Sequence, residues 1–161
     1  MTDSARASLR MDAGEIARYL EAMYRVQVAT LNRDGSVHLV PMSYLLWNGE
    51  IGLWTDPRSR KIANLRRDPR VTVLIEDGEQ VSEFRGLQVR GHAEIVDDPD
   101  QVRHAGEELF ARYRPGGLDS ETRAQVAALV PVRVLVVVHG TSTVSWDHRK
   151  MASGSLEEIG R

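Results

Sequence analysis

The turn dipeptides constrain this chain more than any other feature. Arg33-Asp34-Gly35, Asn48-Gly49 and Asp77-Gly78 each separate two runs in which apolar and β-branched residues alternate with polar or small ones. Asn-Gly or Asp-Gly between alternating runs is the strongest short-range hairpin signal. The flanking strands read as residues 26–32, Val37–Leu46, Ile51–Thr55, Val71–Ile75 and a long Ser82–Ile95. Strands joined by tight turns run antiparallel, whereas parallel neighbours need a crossover of a dozen residues or more. A doubly wound parallel sheet is therefore excluded. Six to seven antiparallel strands with helices at the margins predict a mainly β (α+β) fold, a small split antiparallel barrel with peripheral helices.

Four helices fill the gaps. Asp12 with Glu15 forms a capping box ahead of Ile16, Tyr19, Leu20 and Met23, which predicts a helix over 13–23. Pro57 suits the first turn of a helix over 57–67 that Asp68-Pro69 ends. Asp98-Pro99 opens a helix to Tyr113, and Ser120 is the expected N-cap of another to Leu129. The last strands are expected as Val132–Val138 and Thr143–Trp146, turned by His139-Gly140. The near-continuous apolar run from Val132 to Val138 implies a strand covered on both faces. In so small a protein, the second cover is expected from a partner subunit. Residues 1–10 carry no pattern and read as a disordered tail, 11–150 as one domain and 151–161 as a flexible C-terminal tail.

Composition narrows the function. A length of 161 residues, 42% hydrophobic and 27% charged, suits one globular domain and excludes a disordered chain. A net charge of −2 argues against a general nucleic-acid binder. The absence of cysteine removes disulfides, thiolate metal sites and a cysteine nucleophile. The polar start and the lack of an apolar run near the ~20 residues of a membrane helix give the cytoplasm as the expected location. The five histidines show no zinc spacing, and no GxSxG elbow or GxGxxG fingerprint is present. Of 21 basic residues, all but Lys61 and Lys150 are arginines, so these two lysines stand out against the bias.

Residues 53–71 hold the most chemistry. A strand ends in the hydroxyl of Thr55, and a helix start crowded with Ser59, Arg60 and Lys61 follows. Free N–H groups and the positive dipole end make a helix N-terminus an anion site, most often for phosphate. The same residues also suit a solvated, charged helix surface. Arg60 and Lys61 lie about 100° apart on a helix, so they can converge only in its first turn.

Trp54-Thr55, Ser59-Arg60-Lys61, Asn64-Leu65 and Asp68-Pro69-Arg70-Val71, in that order, resemble the pyridoxamine 5′-phosphate oxidase-like superfamily of flavin- and deazaflavin-binding split barrels. The likeness spans residues 13–149 and takes in Val89-Arg90-Gly91-His92-Ala93 and Ser145-Trp146-Asp147-His148-Arg149. It implies a homodimer with cofactor clefts between subunits. Thr55, Ser59, Arg60 and Lys61 would hold the cofactor phosphate. Val40, Pro41 and Met42 would line the ring, with Trp54 beside it and Trp146 arriving from the other subunit. The oxidase proper has a flavin-contacting glutamine where this chain has Gly86, which leaves Gln88 as the neighbouring cofactor-binding candidate. The oxidase's C-terminal Arg-Leu-His-x-Arg is also missing. The resemblance thus implies an actinobacterial-type oxidoreductase using FMN or coenzyme F-420, and not vitamin B6 oxidation. It offers no residue as an obligatory acid or base. A flavin, deazaflavin or haem-like tetrapyrrole binding protein without turnover is the alternative.

Overall fold

The computed structural model describes residues 7–114 and 116–151. Its elements are α1 (Ala13–Ala22), β1 (Arg25–Leu31), β2 (Val37–Ser43), β3 (Leu45–Trp47), β4 (Glu50–Thr55), α2 (Arg60–Arg67), β5 (Arg70–Asp77), β6 (Arg85–Val96), α3 (Pro99–Tyr113), α4 (Ser120–Leu129) and β7 (Val134–Asp147). The seven strands form one antiparallel sheet in the order β2-β1-β5-β6-β7-β4-β3. The sheet curls into a half-barrel, so the fold is the expected split barrel with peripheral helices.

The concave side is packed solid. Val26 and Val28 of β1, Leu53 of β4, Val73 and Ile75 of β5, and Leu87 of β6 meet Ile62 and Leu65, which plug the interior from α2. The burial of β7 alternates between two cores. Val134, Val136 and Val138 face the barrel, while Leu135 and Val137 join Trp54, Val102, Ala105 and Val126 beneath α3 and α4. The apolar run is therefore covered on both faces within one chain. Two helices of the same molecule supply the layer expected from a partner subunit.

Other boundaries also differ from expectation. His139-Gly140 does not turn the chain. β7 continues through it, and the ladder to β6 shifts register between Arg90 and Gly91, so that Thr141 is the extra residue of a bulge. Gly91 permits the close approach, since a Cβ there would lie 2.0 Å from the His139 carbonyl oxygen. Pro57 sits in a turn before α2 rather than in its first turn, and Asp119, not Ser120, caps α4 by accepting from Thr122 N. The 37–46 run breaks at the buried Tyr44 into β2 and β3, and Val81–Glu83 is a 3-10 turn ahead of β6. Residues 7–10, expected within the tail, are docked instead. Leu9 is buried, its carbonyl accepts from Asp147 N at 2.8 Å, and Met11 N donates to Ser145 Oγ at 3.0 Å. Residues 1–6 and 152–161, which hold the rest of both expected tails, lie outside the described residues.

α1 has no basic residue in its last turn, and the need is met from far away in sequence. Arg112 of α3 donates to the carbonyls of Leu20, Glu21 and Met23 while its guanidinium lies 4.8 Å from the centre of the Tyr44 ring. A cation at a helix C-terminus satisfies orphan carbonyls and opposes the macrodipole.

His139 ties three strands at the bulge. Its Nδ1 lies 2.9 Å from the Glu50 carboxylate on β4 and its Nε2 2.8 Å from that of Glu94 on β6. Both nitrogens face acceptors only, which suits the imidazolium. The hydrogen bond to Glu94, seconded by the Glu50 charge, raises the His139 pKa above its ordinary 6.5. A raised folded pKa contributes stability that is complete below the unfolded value and fades as pH rises through the folded one. Urea midpoints measured across this range should therefore fall with rising pH above about 6.5. His139→Gln should flatten that part of the profile. An unchanged slope would remove the imidazolium from the bridge.

Candidate functional site

The site is built where β4 hands over to α2. Thr55 ends β4, 6% exposed. Asp56 then accepts from the backbone N–H and the guanidinium of Arg58, which holds its carboxyl down to about 2. Ser59 N donates to Asp56 O at 3.1 Å and closes the turn. Ser59 occupies the N-cap with extended backbone, yet its hydroxyl caps nothing: Oγ is buried and has no hydrogen-bond partner. No acidic residue stands in the first turn of α2.

Lys61 completes the arrangement. It is half-buried and makes no ion pair or hydrogen bond with any described residue. Burial pushes its pKa down, and the nearby Asp56 charge only partly opposes the shift. A desolvated ammonium without a counter-ion costs free energy, and an anion beside it recovers that cost. An uncapped helix start, an orphaned hydroxyl and an unpaired cation within three residues fit a phosphate. Lys150, the other lysine, is bound to Glu15 at 2.6 Å and to the Arg10 carbonyl, a structural clamp on the N-terminal segment.

The other expected site residues are placed unevenly. Arg60 is exposed; the Asp34 carboxyl in the β1–β2 turn is held down mainly by the Ser36 hydroxyl and N–H, with the Arg60 charge a smaller contribution. Val40 and Met42 are half-buried on the concave side of β2, an edge strand, and Pro41 is exposed on the convex side. Trp54 does not face a cleft. It is buried in the second core, its Nε1 donates to Val102 O at 2.9 Å, and its ring meets Phe110 edge-on. The alternation of β4 explains this, because Trp54 points away from the barrel that Leu53 enters.

Gln88 and Trp146 lie on the convex face. Pro41, Gln27, Leu74, Gln88 and Val144 form one cross-strand row over β2, β1, β5, β6 and β7. Trp146 pairs with Gly86, and a Cβ at Gly86 would sit 1.9 Å from its ring. Gly86 thus makes room for the indole. That relation is invisible in the sequence because the two residues lie 60 positions apart. The same face leaves Val37 and Leu39 each 61% exposed and Val144 46% exposed. A groove of about 310 Å³ crosses it, lined by Leu31, Val37, Thr72, Arg90 and His92 among others.

A curled seven-stranded antiparallel sheet in this order, with peripheral helices, defines a split-barrel class. The family model for pyridoxamine 5′-phosphate oxidase matches residues 13–138, and the chain belongs to that family. Among solved structures it is similar to the conserved hypothetical protein Rv2991 from Mycobacterium tuberculosis, with 38% identity over 94% of this chain and 98% of that one and a TM-score of 0.85. An F420 reductase is 28% identical over 78% of this chain and 92% of the other, with a TM-score of 0.58. The haem storage protein HutZ from Vibrio cholerae shares the fold at 15% identity, with 83% and 94% of the two chains covered and a TM-score of 0.65. No curated protein matches the chain. No helix among the described residues is long and apolar enough to cross a membrane, and no group of acidic or histidine side chains among them could hold a metal ion.

The state of Lys61 carries a stability signature. Lys61→Met keeps the aliphatic stem and removes the uncompensated charge. The ligand-free variant should show a urea midpoint equal to or above that of the parent. A clear loss of stability would mean that Lys61 has a structural partner.

Proposed function

We propose that this protein is an oxidoreductase that moves a hydride between FMN or coenzyme F-420 and a small conjugated substrate. The observation that carries this reading is the half-buried, unpaired Lys61 beside the orphaned Ser59 hydroxyl. Thr55, Ser59 and Lys61 would hold the cofactor phosphate with the N–H groups of α2, and Arg60 would add longer-range attraction. Val40, Pro41 and Met42 would support the ring along the free edge of β2. When bound, the flavin or deazaflavin supplies the hydride chemistry, and the chain's residues orient it and exclude water. No side chain is assigned as a general acid or base.

The interior of the barrel is filled by its own side chains, so a ligand must lie on the surface and be covered from outside. The exposed Val37, Leu39, Pro41 and Val144 give the convex face an apolar character that suits a second copy of this chain. The proposed assembly is a cytoplasmic homodimer with cofactor clefts at the subunit boundary, to which Gln88 and Trp146 would contribute across the interface. Sedimentation should show a dimer, and Leu39→Glu should shift it toward monomer. A parent chain that sediments as a monomer would remove the convex face as an interface.

The cofactor test is a titration with FMN and, separately, with F-420, followed by tryptophan emission. Trp146→Phe should abolish most of the quench and Trp54→Phe should keep it, because Trp54 is sealed under α3. Lys61→Ala should weaken binding about tenfold or more, which corresponds to about 1.4 kcal/mol. Equal affinity in Lys61→Ala would remove the phosphate assignment.

Non-catalytic binding of a tetrapyrrole is the second reading. It is favoured by the exposed His92 in the convex groove, with Arg90 two residues away on the same strand face as a cation for a carboxylate. Haem producing no shifted Soret band would set it aside.

A further inference from the structure

α2 meets the molecule through two faces. Ile62 and Leu65 enter the barrel core. The second face, formed by Arg60, Asn64 and Arg67 at helical spacing, lies along the β1–β2 hairpin. Asn64 is 2% exposed, and its amide donates to Thr30 Oγ1 at 3.0 Å and to Asn32 Oδ1 at 3.1 Å. Its carbonyl oxygen lies 3.4 Å from the Arg67 guanidinium, which also donates to the Leu31 carbonyl. Thr30 is likewise buried at 2% exposure. Arg60 continues the same stripe toward Asp34.

Apolar contacts are non-directional, and by themselves they would let an eight-residue helix roll. A buried amide with two acceptors resists rolling, because rotation would strand its donors away from water. The angle matters at this helix in particular. Consecutive residues are about 100° apart, so a roll of one position would turn Lys61 out of its half-buried place and bring Arg60 or Ile62 toward it.

We propose that Asn64 is a positioning residue. By clamping α2 to the β1–β2 hairpin, it fixes the helix rotation that delivers Lys61, rather than Arg60, to the cofactor phosphate. The hairpin it grips leads directly into β2, so the same contact sets the phosphate end of the site relative to the strand carrying Val40, Pro41 and Met42. This inference rests on the phosphate-site reading above.

The test measures the phosphate increment, the ratio of FMN affinity to riboflavin affinity. If the protein takes the deazaflavin, F-420 is compared with its phosphate-free chromophore. Asn64→Ala should lower the ratio at least fivefold and leave the phosphate-free affinity nearly unchanged. Thr30→Val removes one acceptor with little change of shape, so it should lower the ratio in the same direction by a smaller factor. This variant decides the matter if Asn64→Ala does not fold. In the Lys61→Ala background, either change should add no further loss, because Asn64 acts through Lys61. A merely structural asparagine would lower thermal stability and leave the ratio alone, and that result overturns the proposal. Full additivity with Lys61→Ala overturns it as well. If Lys61→Ala itself leaves the ratio unchanged, the phosphate reading fails, and the positioning role fails with it. That outcome is distinct from a working Lys61 that does not couple to Asn64.

Discussion

The rest of the molecule hangs on the two-sided burial of β7. Val134, Val136 and Val138 complete the barrel core, and Leu135 and Val137, from the alternate positions, complete the core under α3 and α4. One strand thus couples the two hydrophobic units, and neither could lose it without exposing part of its core. The strand is 14 residues long and bends at the Thr141 bulge, where Gly91 lets the β6 backbone pass close to the His139 carbonyl. Beyond the bulge the same strand leaves the helix-covered region and carries Val144 and Trp146 onto the convex face. The element that organises the core therefore also delivers the aromatic side chain nearest the proposed interface.

The site follows from a local conflict that the surrounding fold tolerates. Around α2, Arg58 pairs with Asp56, Arg70 with Asp68, and Arg67 with Asn64 and a backbone carbonyl, while Arg60 and Arg66 make no such pair but lie exposed to water. Lys61 stands outside this pattern, half-buried and unpaired, next to a serine whose hydroxyl satisfies nothing. Natural sequences agree with their structure at most levels and break the agreement mainly at functional sites. Lys150, retained against the same arginine bias, supplies the contrast. Its ammonium is bound to Glu15 and to the Arg10 carbonyl, and that pairing lowers the Glu15 pKa.

Much of the architecture is legible in the sequence because turn chemistry and period-2 alternation are local. Asn48-Gly49, with both residues at positive φ, and Gly35 and Gly78, also at positive φ, mark hairpins in structure as they do in sequence. What stays hidden is long-range. His139-Gly140 has the composition of a turn, but its glycine serves a bulge against Val89 and Gly91, which only strand pairing reveals. The double cover of β7 follows correctly from its apolar run. The identity of the cover does not, since nothing in Val132–Val138 distinguishes a helix of the same chain from a second subunit. The Thr55–Lys61 cluster is legible as residue types, whereas the burial that sets the half-buried Lys61 apart from the exposed Arg60 is not. Trp54 shows the limit of carrying a role over by resemblance, since its strand position assigns it to a core.

Gly86 gains its meaning from Trp146. In a sheet, side chains on adjacent strands of one face compete for the same space, and the Trp146 indole fills the volume that a residue-86 side chain would need. A glycine at 86 and a large aromatic over it are thus one packing arrangement, not two. It gives this part of the convex face apolar contact, with Gln88 the neighbouring amide on the same face. A ligand or subunit meeting that face would encounter a flat indole and the exposed Val144, flanked by Arg90 and Gln88. Such a surface offers stacking and apolar contact to a planar group. On the proposed function, a flavin, a deazaflavin and a tetrapyrrole ring would all meet that requirement, so the convex face alone would not discriminate among them. On the same proposal, discrimination would fall to the β4–α2 junction, because the phosphate proposed for Ser59 and Lys61 belongs to the first two and not to the third.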